Sequence, residues 1–182
     1  MRDTEDVYRE LCATPSDINE HLATFVDMVS ARDPHARRIV ELGVREGVST
    51  IAWIHAAGEI GHVWSVDMNF PSDASLLRTI DRSRWTFILG SDDDPHVLAA
   101  LPAECDVVFI DTAHTLEQTE RELRLYAPRV VPGGLIFLHD TCDNNADSNW
   151  PVRTAIERFC ARANLKWVEH RHNYGLGIIE VA

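Results

Sequence analysis

One segment of the chain, residues 40–50, runs from an apolar strand into a glycine turn and then into the start of a helix. It reads Val-Glu-Leu-Gly-Val-Arg-Glu-Gly-Val-Ser-Thr and places Glu41 at the carboxyl end of the strand. A strand-turn-helix unit of this kind is where a parallel α/β sheet binds a cofactor. Gly43 can adopt the positive φ of a tight turn, and Gly47 leaves room for a ligand to approach the backbone.

The spacing of the glycines restricts which cofactor can bind. A dinucleotide fingerprint requires G-x-G-x-x-G, whereas this segment is E-x-G-x-x-x-G-x-S, without the middle glycine and with an acid beside the turn. An anionic pyrophosphate fits such a turn poorly, and a cationic cofactor without phosphate fits better. The segment resembles motif I of the class I S-adenosylmethionine (SAM)-dependent methyltransferases. That resemblance implies a SAM site to which four residues contribute: Glu41, Gly43, Gly47 and Ser49.

Length and charge limit the other possibilities. With 182 residues, 45% of them hydrophobic, the chain can form one substantial core. We therefore expect a single methyltransferase domain over residues 1–182, with a helical segment at 1–34 and a SAM-binding core at 35–182. The formal net charge of -12 argues against nucleic acid as a partner, because phosphate backbones are bound by lysine and arginine.

Two further features indicate where such a protein works. The four cysteines, Cys12, Cys105, Cys142 and Cys160, show no C-x-x-C pairing and are interpreted as free thiols in a reducing compartment. The N-terminus is charged, and no stretch approaches the roughly 20 apolar residues that a membrane-spanning helix needs. We expect a cytoplasmic protein without a membrane partner.

Short apolar runs alternate with helical patterns along most of the chain, which is typical of repeated β-α-β units. Strands are predicted at 38–42, 62–66, 85–89, 106–110 and 134–138, and helices at 48–57, 75–81, 95–101, 116–127 and 152–163. Two more strands, 166–169 and 176–181, flank a short turn. The pattern predicts an α/β fold: a Rossmann-like, doubly wound, mostly parallel seven-stranded sheet with a C-terminal antiparallel hairpin.

The segment before the first strand carries a helical pattern of its own. Asp17 can cap a helix with Glu20 as its capping-box partner, and apolar residues then recur at helical spacing. Asp33 and Pro34 end this pattern, because proline cannot continue a helix. One amphipathic helix is therefore predicted ahead of the sheet.

Ligands of an open α/β sheet bind outside the carboxyl ends of its strands, so the residues that end the strands matter most. Asp67 ends the second strand, and its carboxylate can accept hydrogen bonds from both hydroxyls of a ribose. Alternatively, Asp67 only shapes the loop that follows. After the third strand, Ser91 or Asp92 can accept a hydrogen bond from the exocyclic amine of adenine, or these residues belong to the cap of the next helix.

The fourth and fifth strands end in a second pair of motifs. They read Ile-Asp111-Thr-Ala-His114 and Pro-Gly-Gly-Leu-Ile-Phe-Leu-His139-Asp140. This pair resembles the I-D-x-x-H and P-G-G-x-I-x-x-x-D motifs of small-molecule O-methyltransferases, including those that modify sugars on macrolide antibiotics. The resemblance implies that Asp111 and His114 are catalytic and that Asp111 also borders SAM. His114 would be the general base. The implied ligands of a divalent metal are Asp111, His139 and Asp140.

His139 departs from the pattern of that branch, in which an acidic residue stands at this position. Mg²⁺ prefers oxygen ligands to imidazole. Three interpretations stay open: no metal is bound, an ion such as Mn²⁺ is tolerated, or Asp143 supplies the missing oxygen.

Taken together, the motifs predict SAM-dependent transfer of a methyl group to an oxygen of a small-molecule acceptor, such as a sugar or natural-product hydroxyl. Few insertions surround the motifs, so the site is either open or completed by a second copy in a homo-oligomer. Residues 144–149 are interpreted as a mobile loop over the substrate or as a plain connector. Two alternatives are a catalytically silent SAM-binding module and a nucleotide-binding oxidoreductase, against which the missing G-x-G-x-x-G counts.

Overall fold

A seven-stranded sheet forms the centre of the computed structural model, which describes residues 3–31, 37–71, 74–142 and 150–182. Its strands are β1 (Arg38–Leu42), β2 (His62–Asp67), β3 (Trp85–Leu89), β4 (Cys105–Ile110), β5 (Val130–His139), β6 (Trp167–His170) and β7 (Leu176–Glu180). Their order across the sheet is β3-β2-β1-β4-β5-β7-β6. Neighbouring strands from β3 to β5 run parallel, whereas β7 runs antiparallel to both β5 and β6. The predicted fold class is confirmed.

Helices cover both faces of this sheet. Within the described residues, the α-helices are α1 (Thr4–Ala13), α2 (Leu22–Ser30), α3 (Val48–Ala57), α4 (Ala74–Leu77), α5 (Pro95–Ala100), α6 (Leu116–Tyr126) and α7 (Pro151–Ala163). Short 3₁₀ turns at Asn19–His21 and Ala127–Arg129 precede α2 and β5. No helix in these ranges is long and apolar enough to cross a membrane.

Side chains alternate along the central strands and so build two apolar cores. On β4, Val107 and Phe109 pack with residues of α1, α2 and α3, whereas Val108 and Ile110 pack with residues of α5, α6 and α7. The near-continuous apolar runs of the strands follow from this burial on both faces. Strand order reverses between β1 and β4, and this switch point opens the crevice in which α/β sheets bind ligands.

The N-terminal part contains two helices where the sequence predicted one. Asp3 caps α1, and Val7 of that helix is buried in the core on the face of the sheet that α3 covers. The predicted cap at Asp17 is wrong: the turn ahead of α2 starts after Ile18 without a side-chain cap, and its first N–H, that of Asn19, donates to Ser16 Oγ at 3.0 Å. Asp17 is left free to pair with an arginine of the glycine turn. The predicted helix end at Asp33 and Pro34 lies outside the described residues.

Most other predicted elements agree closely with the structure. The exceptions are α4, which ends at Leu77 rather than at residue 81, and β5, which starts at Val130 rather than at residue 134. The pairing of β5 with β4 is irregular between Cys105 and Val107, where the extra residues of β5 lie. Neither change moves the carboxyl ends of the strands.

Candidate active site

A cavity of about 400 Å³ opens at the carboxyl ends of the strands around the switch point. The loops after β1, β2, β3 and β4 form its walls, and Gln118 and Arg121 of α6 close one side. It brings together six of the residues predicted from the sequence: Gly43, Asp67, Ser91, Asp92, Asp111 and His114. A larger groove of about 540 Å³ lies near Phe70 and Trp85 and is bordered by none of the predicted residues. The smaller cavity is therefore the candidate site.

Glu41 lies beneath the glycine turn and is completely buried. Its carboxylate accepts hydrogen bonds from Ser49 Oγ at 2.6 Å, Thr50 Oγ1 at 2.7 Å and Ser65 Oγ at 2.5 Å. Burial raises the pKa of Glu41 to about 7 although these three hydroxyls favour its charged form. The structure thus places Glu41 behind the turn, outside the wall of the 400 Å³ cavity, and Ser49 beside a small neighbouring cavity of about 20 Å³ that Gly43 and Asp111 also border. Their hydrogen bonds support the turn, and their contact with a cofactor stays a prediction.

The two glycines of the turn are fixed by protein atoms. Gly43 has a φ of +90°, and a Cβ there would lie 1.9 Å from the carbonyl oxygen of Asp111. Gly47 has a φ of +86° at the start of α3, and a Cβ there would meet Leu77 Cδ2 at 2.5 Å. Gly43 borders the cavity, whereas Gly47 faces Leu77 and does not. Leu77 fills the space beside Gly47 in which room for a ligand was predicted.

Asp67 lies in the cavity wall and also organises two loops. Its Oδ2 accepts hydrogen bonds from the backbone N–H groups of Val44 at 2.8 Å and Arg45 at 3.3 Å, and its Oδ1 accepts one from Asn69 at 2.8 Å. A carboxylate has about four acceptor positions, so capacity remains for a donor in the cavity. Asp67 therefore shapes the loops, as one interpretation held, while staying available to a ligand.

In the loop after β3, one residue caps the next helix and two others line the cavity. Asp94 caps α5 by accepting a hydrogen bond from the N–H of His96 at 2.7 Å, so Ser91 and Asp92 are not needed for the cap. Both line the cavity. Ser91 Oγ donates to Asp93 Oδ1 at 2.6 Å.

Asp92, in the wall of the cavity, lies next to a second acid, Glu122. Gln118 Nε2 donates to both Asp92 oxygens, at 2.9 and 3.2 Å, and also to Glu122 Oε1 at 3.2 Å. Burial and the neighbouring Asp92 raise the pKa of Glu122 to about 9, so this carboxyl is protonated at neutral pH. The Asp92–Glu122 pair therefore carries one negative charge rather than two.

Two histidines and two aspartates converge at the ends of β4 and β5. His114 Nε2 lies 2.9 Å from Asp111 Oδ1 and 3.1 Å from Asp140 Oδ2. His139 Nδ1 lies 3.4 and 3.1 Å from the same two oxygens. The structure thus brings all four predicted residues together.

Electrostatics in this cluster favour charged forms. Burial opposes the charges of the histidines, but Asp111 and Asp140 outweigh it and raise the pKa of His114 above its ordinary value and that of His139 to about 10. Burial likewise opposes the charge of Asp111, yet hydrogen bonds from His114 and His139 hold the pKa of that carboxyl well below its usual range. The cluster is built to stabilise positive charge between two carboxylates.

Backbone strain concentrates in the same cluster. His114 has a φ of +50° and Asp140 a φ of +60°, both in the left-handed region that non-glycine residues rarely adopt. Each such residue costs about 1–3 kcal/mol and persists where the surroundings hold it. Thr115 caps α6 through its Oγ, which accepts from Gln118 N–H at 3.3 Å, so His114 is not needed for the cap.

The donor set fits a divalent metal ion. Asp111, His139 and Asp140 each offer one ligand atom, and these atoms lie within 4.8 Å of one another. His139 Nε2 lies 3.2 Å from the backbone carbonyl oxygen of Asn173, which leaves Nδ1 to face the carboxylates. Histidine ligands of metals are held in this way by a hydrogen bond from the other ring nitrogen. Asp143, the alternative ligand, lies outside the described residues, as do residues 144–149.

One residue near this cluster, His21, was not predicted from the sequence. His21 is completely buried, and its Nε2 lies 3.1 Å from the carbonyl oxygen of Asn173. Burial and the neighbouring His139 lower the pKa of His21 to about 4, so the ring is neutral. The only sequence signal was a histidine placed beside the apolar positions of a predicted helix. Nothing in the sequence indicates its partner, which lies far along the chain.

Comparison with known proteins places this site in a family. A family model described as a methyltransferase domain matches residues 40–141. Because the match covers more than half of the chain, the protein belongs to this methyltransferase family. The resemblance to class I SAM-dependent methyltransferases, seen in the motifs, is thereby confirmed. No curated protein matches the sequence significantly.

Solved structures share the fold. A protein from Corynebacterium glutamicum has a TM-score of 0.73 at 14% identity, with 98% of this chain and 89% of that chain covered. An O-methyltransferase from Bacillus cereus, solved in complex with SAH, has a TM-score of 0.68 at 16% identity, with 99% and 92% covered. MycE, a methyltransferase of mycinamycin biosynthesis solved with Mg, SAH and mycinamycin VI, has a TM-score of 0.61 at 19% identity, with 90% and 49% covered. At such identities these likenesses establish the shared fold.

Proposed function

We propose that the protein transfers a methyl group from SAM to an oxygen of a small-molecule acceptor, such as a sugar or natural-product hydroxyl. One observation carries the proposal: the cavity at the switch point adjoins a cluster in which His114 lies between Asp111 and Asp140. A donor bound in the cavity would have a general base beside it. Family membership supports methyl transfer, and the histidine supports a hydroxyl acceptor.

The cavity has the size and charge for SAM. Its volume of about 400 Å³ lies in the range of small-molecule sites. Four aspartates border it, whereas its two arginines already pair with Asp17 and Asp93. Negative charge in a partly closed site attracts the positive sulfonium of SAM and repels pyrophosphate. This charge balance supports SAM over a dinucleotide.

Individual residues would divide the work of binding. Asp67 has an acceptor position left for a ribose hydroxyl, and Asp92 or Ser91 would meet the adenine. Gly43 would border the cofactor, while Glu41 and Gly47 would hold the turn in place. Asp111 belongs to both parts of the site, because it borders the cavity and contacts His114.

His114 would act on the acceptor. Its side chain is 40% exposed, so a hydroxyl can approach the ring from outside. The neutral form of the ring takes the hydroxyl proton, and the adjacent carboxylates stabilise the imidazolium that then forms. Most of the rate enhancement would come from holding donor and acceptor in line, and proton removal adds about 10²- to 10⁴-fold.

A metal ion would act at the same place. Asp111, His139 and Asp140 would hold it, and a bound divalent ion lowers the pKa of a hydroxyl or polarises it. A nitrogen donor in the set favours Mn²⁺ over Mg²⁺. The three side chains themselves keep the acceptor end of the site charged and ordered.

Acceptor access and the cellular location of the protein complete the proposed function. The described residues form few structures beyond the sheet and its helices, so the acceptor site is either open or completed by a second copy. The net charge of -12 supports a small molecule rather than nucleic acid as the acceptor. All four cysteines are free thiols, which supports a reducing, cytoplasmic location.

Calorimetry with SAM, its demethylated product and NAD tests the cofactor, and an acceptor screen that detects the product tests the chemistry. The proposal expects binding of SAM and of its product, no binding of NAD, and turnover with a hydroxyl acceptor. Binding of SAM without turnover on a broad set of sugar and natural-product hydroxyls would favour a silent module. Binding of NAD in place of SAM would favour an oxidoreductase.

A further inference from the structure

A group of histidines extends from the candidate metal ligands to the N-terminal segment. His21, in the 3₁₀ turn before α2, packs edge-on against His139 with ring centroids 5.7 Å apart and stacks on His172 at 4.8 Å. His139 ends β5, and His172 lies in the turn between β6 and β7. Three distant parts of the chain therefore meet at His139, the candidate metal ligand that stands where the resembling O-methyltransferases have an acidic residue.

A single backbone oxygen links two of these rings. The carbonyl oxygen of Asn173 lies 3.1 Å from His21 Nε2 and 3.2 Å from His139 Nε2. A carbonyl oxygen only accepts hydrogen bonds, so both Nε2 atoms carry a proton. The Nδ1 atom of His139, which faces Asp111 and Asp140, is then the ring position that can bind a metal ion.

The turn that carries this oxygen is strained and held from two sides. Asn173 has a φ of +49° and Tyr174 a φ of +66°, both left-handed. On one side, Cys142 N–H donates to the carbonyl oxygen of Tyr174 at 2.8 Å; on the other, Asn173 Nδ2 donates to Asn19 Oδ1 at 3.3 Å. Strain of this kind persists only where the surroundings fix the backbone. Here the two hydrogen bonds fix the direction of the Asn173 carbonyl group.

His21 is an expensive choice for packing alone. Its Nδ1 is buried without a hydrogen-bond partner among the described residues, and a bare buried nitrogen costs stability. Phenylalanine would fill the same space without that cost. The Nε2–H group of His21, bonded to the shared carbonyl, is the feature that phenylalanine lacks.

We propose that His21 is a positioning residue for the metal site: through the carbonyl group of Asn173 it holds the ring of His139 so that Nδ1 binds a divalent ion together with Asp111 and Asp140. This rests on the metal site of the proposed function. It makes the N-terminal helical segment part of the active site. The class of ligand is a first-row divalent cation that accepts mixed nitrogen and oxygen donors, for which Mn²⁺ is the probe.

The test measures Mn²⁺ binding to the full chain by calorimetry and by electron paramagnetic resonance, without acceptor or turnover. His21→Phe keeps the ring but removes the donor, and His21→Gln restores an amide donor near the place of Nε2. His55→Phe is the matched control, because His55 stacks on Tyr8 at 4.4 Å, away from the site. We expect His21→Phe to weaken Mn²⁺ binding by about 10- to 100-fold, His21→Gln to recover part of the loss, and His55→Phe to match the wild type.

Mn²⁺ affinity of His21→Phe within twofold of the wild type would overturn the proposal. Wild-type protein that binds SAM but no Mn²⁺ would also overturn it while leaving methyl transfer in place. If His21→Phe does not fold, nitrogen NMR of the Zn²⁺-loaded wild type decides instead. A metal-bound Nδ1 and a protonated Nε2 on His139 support the proposal, and the reverse arrangement contradicts it.

Discussion

His114 Nε2 lies 2.9 Å from Asp111 Oδ1, across the loop that joins β4 to α6. This contact sets both the direction of the imidazole ring and its charge, because the carboxylate favours the protonated ring. The ring lies in the wall of the cavity. In the proposed function, this contact is therefore the point at which donor binding and acceptor chemistry meet.

Replacement of His114 by alanine should reduce kcat at least about 10²-fold, because a positioned base contributes 10² or more to proton transfer. SAM affinity should stay within a few fold, since the cofactor contacts lie elsewhere in the cavity. Steady-state kinetics and calorimetry measure the two effects separately. His96→Ala, an exposed histidine on α5, is the control. Full activity in His114→Ala would show that the ring is not the base.

Replacement of Asp67 by alanine should weaken SAM binding by about 1–3 kcal/mol, the cost of removing a charged acceptor. It should also loosen two loops, because Val44, Arg45 and Asn69 lose their acceptor. Asp81→Ala is the control, since Asp81 accepts from a backbone N–H in the same way at 2.9 Å but lies outside the cavity. Equal SAM affinity in the two variants would reduce Asp67 to a loop residue.

Gly43→Ala should destabilise the fold more than Gly58→Ala. Both glycines have positive φ, so both variants carry backbone strain that alanine, unlike glycine, does not relieve. At Gly43 the Cβ would also meet the Asp111 carbonyl at 1.9 Å, whereas at Gly58 its nearest contact is Arg37 at 3.7 Å. We expect an additional loss of about 1–3 kcal/mol from the clash, measured by denaturant unfolding. Similar losses in both variants would contradict the close approach of the β1 and β4 loops.

Glu41 should make stability depend on pH. Its pKa is raised from 4.5 to about 7 in the folded protein, so the folded state holds a proton that the unfolded chain releases. The free energy of unfolding therefore falls as pH rises through this window, by about 3 kcal/mol in total. Glu41→Gln should remove this component, and the difference between the two unfolding curves measured from pH 4.5 to pH 8 isolates it. If the difference in unfolding free energy between the wild type and Glu41→Gln does not change with pH, the raised pKa of Glu41 is contradicted.

A divalent ion should stabilise the wild-type protein. We expect Mn²⁺ to raise the melting temperature and a chelator to reverse the effect, because a ligand that binds only the folded state stabilises it. Asp140→Asn should lose the response, whereas Glu59→Gln, which removes an exposed acid outside the site, should keep it. Chelator should also lower activity. Equal activity with and without chelator would leave the site to work through its own side chains.

The sequence was sufficient for the order of strands and helices along the chain, because the signals for each element are local. The run from Val107 to Ile110 is apolar on both faces, and an acid follows it where the strand leaves the sheet. The same reasoning indicated Asp67, Asp111 and Asp140, since the carboxyl ends of parallel strands meet at one edge. His114 was predicted from the resemblance of its motif. Helix α1 was not predicted, because charged residues dominate its sequence and Val7 is its one buried residue.

Roles that depend on distant partners could not be predicted. A strand pattern cannot tell whether Glu41 points into a cavity or beneath a turn, because the answer depends on Ser65, which comes from another strand. The space beside Gly47 is filled by Leu77, again from elsewhere in the chain. His21 and its partner Asn173 are 152 residues apart, and only the packing of the N-terminal segment on the β6–β7 turn brings them together.

The acidic wall of the cavity has a consequence for turnover. Asp67, Asp92 and Asp111 border a space that would hold the positively charged sulfonium of the donor. Transfer of the methyl group converts this cation into a neutral thioether, and its attraction to the aspartates is lost at that moment. The spent product would keep the proposed hydrogen bonds of its ribose and adenine but lose the attraction of its sulfur to these charges. We therefore expect it to bind less tightly than SAM, which favours its exchange for a fresh donor.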